Sequence, residues 1–165
     1  MSKSVVFMGV AGCGKSTIAS KVAQALGMDL IEGDDHHSAN NREKMSQGIP
    51  LTDEDRDDWL GSLGEILRSS PRGVFLTCSA LKRKYRDRLR SASPRLQFVF
   101  LEISQEAAQQ RVATRSSHFF TGSLVKSQFD ALEPPLDEAH VLRADATLAL
   151  DDLAFKIEDW LRSNE

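Results

Sequence analysis

Short uninterrupted apolar runs and helically spaced apolar stripes take turns along this chain, and the alternation predicts strands and helices in succession. Val5-Val6-Phe7-Met8 is the first run, with the character of a strand covered on both faces. Ile18, Ala19, Val22, Ala23 and Leu26 then recur at helical spacing up to Gly27, a natural stop. Leu30-Ile31 gives a short second strand ending at Glu32-Gly33-Asp34-Asp35, and Ser38 to Gln47 reads as a short polar helix closed by Gly48. Thr52 before Asp53, Glu54 and Asp55 marks a helix start. Trp59, Leu60, Leu63, Ile66 and Leu67 form that helix's apolar face as far as Ser69-Ser70-Pro71.

Beyond this point the scheme repeats. Gly73-Val74-Phe75-Leu76-Thr77-Cys78 predicts a buried strand, Lys82 to Ser91 a basic helix, and Leu96 to Leu101 another strand. Ser104 caps a helix to about Arg115, Ser116 to Gly122 breaks the regularity, and Leu124 to Leu132 resumes as a helix that Pro134-Pro135 ends. His140 to Ala144 is a weak last strand, and a helix from about Asp151 carries Leu153, Ile157, Trp160 and Leu161 on one side. This order predicts an α/β fold, a three-layer αβα sandwich whose mainly parallel sheet of about five strands presents ligand sites at its carboxyl edge. The 165 residues suit one core and show no repeat or low-complexity tract, so a single domain over 1–165 is expected.

The turn after the first strand carries the sharpest motif. Gly9-Val10-Ala11-Gly12-Cys13-Gly14-Lys15-Ser16 spells G-x-x-x-x-G-K-S between a legible strand and a legible helix, the context a P-loop requires. Glycine lets the backbone curl so that successive N–H groups face phosphate oxygens, and the helix dipole points the same way. Lys15 supplies a point charge and Ser16 a hydroxyl for Mg²⁺. No N-K-x-D guanine-reading motif accompanies it.

Glu32 and Asp34 follow the second strand and so fall at the same sheet edge. One carboxylate there can serve Mg²⁺ while the other, Asp34, accepts a proton from a hydroxyl. Lys82 and Arg86 open the basic run Lys82 to Arg90, close enough to that edge to meet an anionic substrate, while the rest reads as a solvated face. Arg111 and Arg115 stand four apart before the irregular stretch, as for a mobile phosphate-binding lid over about 116–123. Adjacent His36-His37 lacks partners at zinc spacing, leaving His37 a positioning role. Asp137-Glu138-Ala139-His140 spells the helicase tetrapeptide, yet it sits in a turn of a chain too short for a motor.

Further landmarks run in order over residues 9–134: Gly33-Asp34 with His37 and Asn41, Glu43-Lys44-Met45, Gly48-Ile49-Pro50-Leu51, and Asp53-Glu54-Asp55-Arg56 with Trp59. Cys78-Ser79-Ala80-Leu81-Lys82 with Tyr85-Arg86-Asp87, His118-Phe119-Phe120, Gln128-Phe129 and Leu132-Glu133-Pro134 complete them. In these the chain resembles the gluconate kinases, small P-loop sugar-acid kinases related to shikimate and adenylate kinases. The resemblance implies a nucleoside-monophosphate-kinase-like build, transfer of the ATP γ-phosphoryl group to the 6-hydroxyl of D-gluconate, and a homodimer. It places ATP and Mg²⁺ on Gly9 to Ser16 with Thr17, gives Glu32 a part in holding Mg²⁺, and sets Asp34 against the sugar hydroxyl. By similarity to adenylate kinases, which carry a comparable R-x-x-x-R pair, Arg111 would lie by the adenine and Arg115 by the phosphates, making Lys15, Asp34 and Arg115 the catalytic set. His37, Lys44, Arg56, Lys82, Arg86 and His118 are the candidates for holding gluconate. The chain departs from the family with Ser38 where proline is usual, Ser117 where glycine is usual, and Glu32 where many relatives have aspartate.

A net charge of −3 with 27% charged residues offers no basic face for nucleic acid. No apolar stretch approaches the roughly 20 residues needed to span a bilayer, and with no leader visible ahead of the first strand the expected location is the cytoplasm. Two cysteines, Cys13 and Cys78, make no disulfide framework and read as reduced thiols; their places in the loop and at a strand end would bring both near the nucleotide, where thiol reagents could inhibit, although Cys13 reads better as a tolerated small residue. The competing readings are another small-molecule kinase of the same build, acting on shikimate, a related sugar acid or a nucleotide, and a nucleotide-sensing switch.

Overall fold

A computed structural model describes residues 3–114 and 122–165. Its strands β1 (Val5–Met8), β2 (Leu30–Glu32), β3 (Phe75–Thr77), β4 (Gln97–Glu102) and β5 (Val141–Asp145) form one sheet in the order β2-β3-β1-β4-β5. Each neighbouring pair is parallel, with Val5 of the central strand in register with Phe75 on one side and Gln97 on the other. The helices are α1 (Lys15–Leu26), α2 (Ala39–Ser46), α3 (Asp53–Arg68), α4 (Arg83–Ala92), α5 (Gln105–Thr114), α6 (Gly122–Ala131) and α7 (Leu150–Ser163).

The uninterrupted apolar runs have a direct cause. Side chains alternate across a strand, and here both faces are covered. Val5 and Phe7 enter one core with Ile18 and Val22 of α1 and Ile157 and Leu161 of α7, whereas Val6 and Met8 enter the other with Leu60 and Leu63 of α3 and Leu89 of α4. Val99 and Leu101 of β4 join the first core, and Phe98 and Phe100 the second.

Boundaries lie within two or three residues of the sequence expectation. β3 is shorter than Gly73 to Cys78, and at its start the Val74 N–H is taken by the Ser4 hydroxyl at 3.0 Å. Thr52 and Asp55 form a reciprocal capping box at the start of α3, and Ser38 caps α2 by accepting from Asn41 N–H at 3.1 Å. A 3₁₀ turn over Gly33–His36, which the sequence did not signal, follows β2. Both thiols are buried in the sheet's packing, and burial pushes Cys78 up to about 12. The expectation that they meet thiol reagents is therefore corrected, because neither is offered to solvent and Cys78 stays protonated.

Candidate active site

The turn from β1 into α1 is shaped by its glycines. Gly9, Gly12 and Gly14 take φ values of 147°, 84° and 87°, and a Cβ at Gly12 would strike the Ala108 carbonyl of α5. Val10, Ala11 and Cys13 point their side chains into protein, so any contact these residues make with a phosphate is through backbone. Lys15 Nζ turns back onto the carbonyls of Gly9 at 3.0 Å and Val10 at 3.2 Å. Arg111 braces the loop from outside, donating to Gly12 O at 3.3 Å, Cys13 O at 3.4 Å and Ala146 O at 2.9 Å. Thr17 lies exposed in the first turn of α1.

Sheet register then assembles an oxygen-rich corner. Glu32 and Thr77 are partners across β2 and β3, and Glu32 Oε2 accepts from Thr77 Oγ1 at 2.6 Å and from Ser16 Oγ at 2.9 Å. Glu32 thus reaches the P-loop serine. Thr77 was missed in the sequence, where only its strand-end position beside Glu32 could have marked it. Hydroxyl and carboxylate oxygens suit a hard cation such as Mg²⁺. Among the described residues no group of three or more His, Cys, Asp and Glu side chains could hold a metal alone, so a cation here would share its ligands with phosphate oxygens and water.

The 3₁₀ turn carries Asp34 to the same edge. Gly33 is pressed so close to β3 that a Cβ would collide with the Thr77 carbonyl; its N–H donates to Thr77 Oγ1 at 3.2 Å, and its carbonyl accepts from Trp59 Nε1 at 2.8 Å. Arg42 splints the far side by donating to the carbonyls of Asp35 at 2.6 Å and His37 at 3.3 Å. Asp34 keeps 55% of its side-chain surface, yet the cleft walls desolvate it and raise its pKa against the lowering influence of Lys15. Its neighbour Asp35 adds to the rise and Arg42 opposes it.

His37 stands behind Asp34, stacked on Trp59 with ring centroids 4.1 Å apart. Burial, with Arg56 and Arg42 nearby, lowers its pKa to about 4, so the ring is neutral at pH 7. Asn41 Nδ2 faces the Asp55 carbonyl at 2.7 Å, which fixes that atom as the amide nitrogen; its second N–H then meets His37 Nδ1 at 3.2 Å. The ring proton consequently sits on Nε2, 3.7 Å from Asp34 Oδ1.

Next to Asp34 lies a cleft in two connected parts. His37, Arg56, Trp59 and Gln128 border the inner part together with Asp34, and Asp53, Arg56, Lys82 and Gln128 border the outer. Lys82 Nζ is 3.3 Å from Asp53 Oδ1, and Arg56 lies 5.5 Å from the Tyr85 ring centroid. Lys84 and the Tyr85 hydroxyl also donate to Asp53, and with Lys82 they hold its carboxyl below the usual range. Lys44 is not among the lining residues: it pairs with Asp55 at 2.9 Å, tying α2 to the start of α3.

Arg86 requires correction as a candidate for holding substrate. It is 0% exposed, and its guanidinium is committed to Glu138 at 2.6 and 2.9 Å, Ala80 O at 2.7 Å and Glu133 O at 2.8 Å. Ala80 lines the cleft in a left-handed conformation, φ 47°, so Arg86 acts beneath the wall, pinning a strained turn. Glu138, from the helicase-like tetrapeptide, is its buried partner; burial pushes that carboxyl up, but hydrogen bonds from Arg86 and Arg90 bring it below its ordinary value. Arg115, His118 and the expected lid up to residue 121 lie outside the described residues, whereas Gly122 and Ser123 already belong to α6.

The chain is similar in sequence and in fold to known proteins. Residues 5–135 match a protein family described as an AAA domain. The thermosensitive gluconokinase of Escherichia coli is 46% identical over 148 residues, covering 87% of this chain and 79% of that protein. A gluconokinase crystal structure from Sinorhizobium meliloti superposes with a TM-score of 0.91 at 42% identity, covering 98% of this chain and 92% of the other. An unliganded sugar kinase from a Janibacter species gives a TM-score of 0.93 at 39% identity, over 98% and 95%.

Proposed function

Because the chain belongs to the gluconokinase family of P-loop proteins, we propose that it transfers the γ-phosphoryl group of ATP to the 6-hydroxyl of D-gluconate. The observation that carries the reading is the convergence of Lys15, the Ser16–Glu32 pair and Asp34 on one sheet edge beside a cleft bordered by Arg56 and Lys82. In the reaction a bond forms between the sugar oxygen and the γ-phosphorus as the bond to the bridging oxygen breaks. Asp34 takes the hydroxyl proton, and its raised pKa brings it nearer the range useful to a base.

Phosphoryl transfer depends on positioning and charge neutralisation more than on covalent chemistry. Lys15 would leave the Gly9 and Val10 carbonyls to meet the phosphates. Ser16 and Glu32 would hold Mg²⁺, which when bound offsets phosphate charge. Arg111 and Arg115 would attend the nucleotide, with the segment around His118 closing to exclude water. Arg56 and Lys82 would receive the sugar acid's carboxylate, and His37 would keep Asp34 aimed. One catalytic domain, a homodimer and the cytoplasm complete the proposal.

The test is ADP release in the presence of ATP and Mg²⁺ with D-gluconate, shikimate, glucose, nucleoside monophosphates or no acceptor. Selective turnover of gluconate is expected. Turnover of another acceptor would overturn the substrate, and equal release without any acceptor would favour a nucleotide-sensing switch.

A further inference from the structure

Gln128 of α6 lines the cleft and is hydrogen-bonded through its side chain to the P-loop backbone. Its Oε1 accepts from Ala11 N–H at 2.6 Å. Because an N–H must meet an oxygen, that bond also decides which end of the amide is which, leaving Nε2 as the end turned from Ala11. Among the described residues Nε2 has no hydrogen-bond partner, and the residue is only half-buried on a helix that lines the cleft.

Its place in the cleft gives that donor a task. Gln128 and Arg56 border both the inner part, where Asp34 waits for the reacting hydroxyl, and the outer part, where Lys82 supplies positive charge. A polyhydroxy acid with one end at Asp34 and its carboxylate by Lys82 would run past the residues that the two parts share, Gln128 among them. We propose that Gln128 is a specificity-determining residue: Ala11 N–H anchors it, and its Nε2 donates to a mid-chain hydroxyl of the acceptor. The proposal rests on the sugar-acid kinase reading above. A neutral amide suits the position, since it can favour a hydroxyl without drawing the carboxylate away from Arg56 and Lys82. Anchoring on the P-loop makes the donor rigid, so an acceptor with hydrogen or the wrong stereochemistry at that carbon leaves it unpaired.

Gln128→Ala and Gln128→Met, the second keeping side-chain length, test this with D-gluconate and its 2-, 3- and 4-deoxy analogues as acceptors. For gluconate, kcat/KM should fall about 10-fold in both variants, the size of one hydrogen bond. One deoxy analogue, already poor with the unaltered protein, should lose nothing further in either variant, and the KM for ATP should stay within about twofold. Equal losses for all acceptors, or an equal rise in KM for ATP, would overturn the assignment and make Gln128 a brace for the P-loop. Unchanged gluconate kinetics in both variants would overturn it alone. An unaltered protein inert toward gluconate would overturn the function reading and this assignment with it.

Discussion

The phosphate end and the acceptor end of the cleft are built in opposite ways. The phosphate end is eight contiguous residues in which backbone works beside the side chains of Lys15 and Ser16, with Val10, Ala11 and Cys13 sending their side chains into protein. The acceptor end draws side chains from a 3₁₀ turn, α3, the loop after β3 and α6. It is held by contacts between residues far apart in sequence, such as Arg86 with Glu138 and Trp59 with Gly33. Such a loop asks only for glycines, a lysine and a hydroxyl at fixed spacing, so nucleotide binding survives much sequence change. Side-chain recognition can be retuned one residue at a time, which lets one fold host many acceptors.

Substitutions should separate the two ends. Asp34→Asn should lower kcat by about 10²–10⁴ while leaving the KM for ATP nearly unchanged, read in steady-state assays with each substrate varied. In the unaltered protein the acid limb of kcat/KM should be displaced upward from an ordinary aspartate's, since Asp34 must ionise and its pKa is raised. The same shift means the fold favours the neutral form, so Asp34→Asn should melt higher than the unaltered protein at pH 7.

Arg86→Met should cost about 3 kcal/mol in urea unfolding, the low end for breaking a buried ion pair because Arg90 remains on Glu138 at 2.8 Å. It should also raise the KM for gluconate more than that for ATP, because the Ala80 that loses its clamp lines the acceptor side of the cleft. An equal rise in both would erase the distinction between the ends.

His37 sharpens the comparison through pH. Its folded pKa of about 4 lies below the ordinary 6.5, so the unfolded chain binds its proton first as pH falls. Stability should therefore be full above pH 6.5 and decline toward pH 4 by up to about 1.4 kcal/mol per unit. Asp34, Arg42 and Arg56 are the charged groups around the ring, and urea melts of His37→Gln should show a shallower decline. The smallest effect belongs to Lys82→Met: about a threefold rise in the KM for gluconate, as befits a partly exposed lysine already shared with Asp53.

The same contrast explains what could be read from the sequence. The strand order of events, the capping box at Thr52 and the P-loop were legible because each is a local pattern with a local cause. Asp34 and Glu32 were legible because strand ends in a parallel sheet share an edge. Thr77 was not, since its meaning depends on which strand lies next to β2. Arg86 misled because a basic residue near the edge reads as a substrate contact until Glu138, 52 residues away, is seen to neutralise it. Arg42 and Asn41 act on backbone and ring atoms behind the site, a role no spacing announces.

The most direct measurement is the stoichiometry of product to ATP, with phosphorylated gluconate followed by ³¹P NMR beside ADP release, in the unaltered protein and in Asp34→Asn. One 6-phosphogluconate per ADP, slow hydrolysis without acceptor, and near-complete loss of both in the variant are expected. ADP formed at the same rate with and without gluconate, accompanied by free phosphate, would contradict a kinase in which the acceptor end governs transfer.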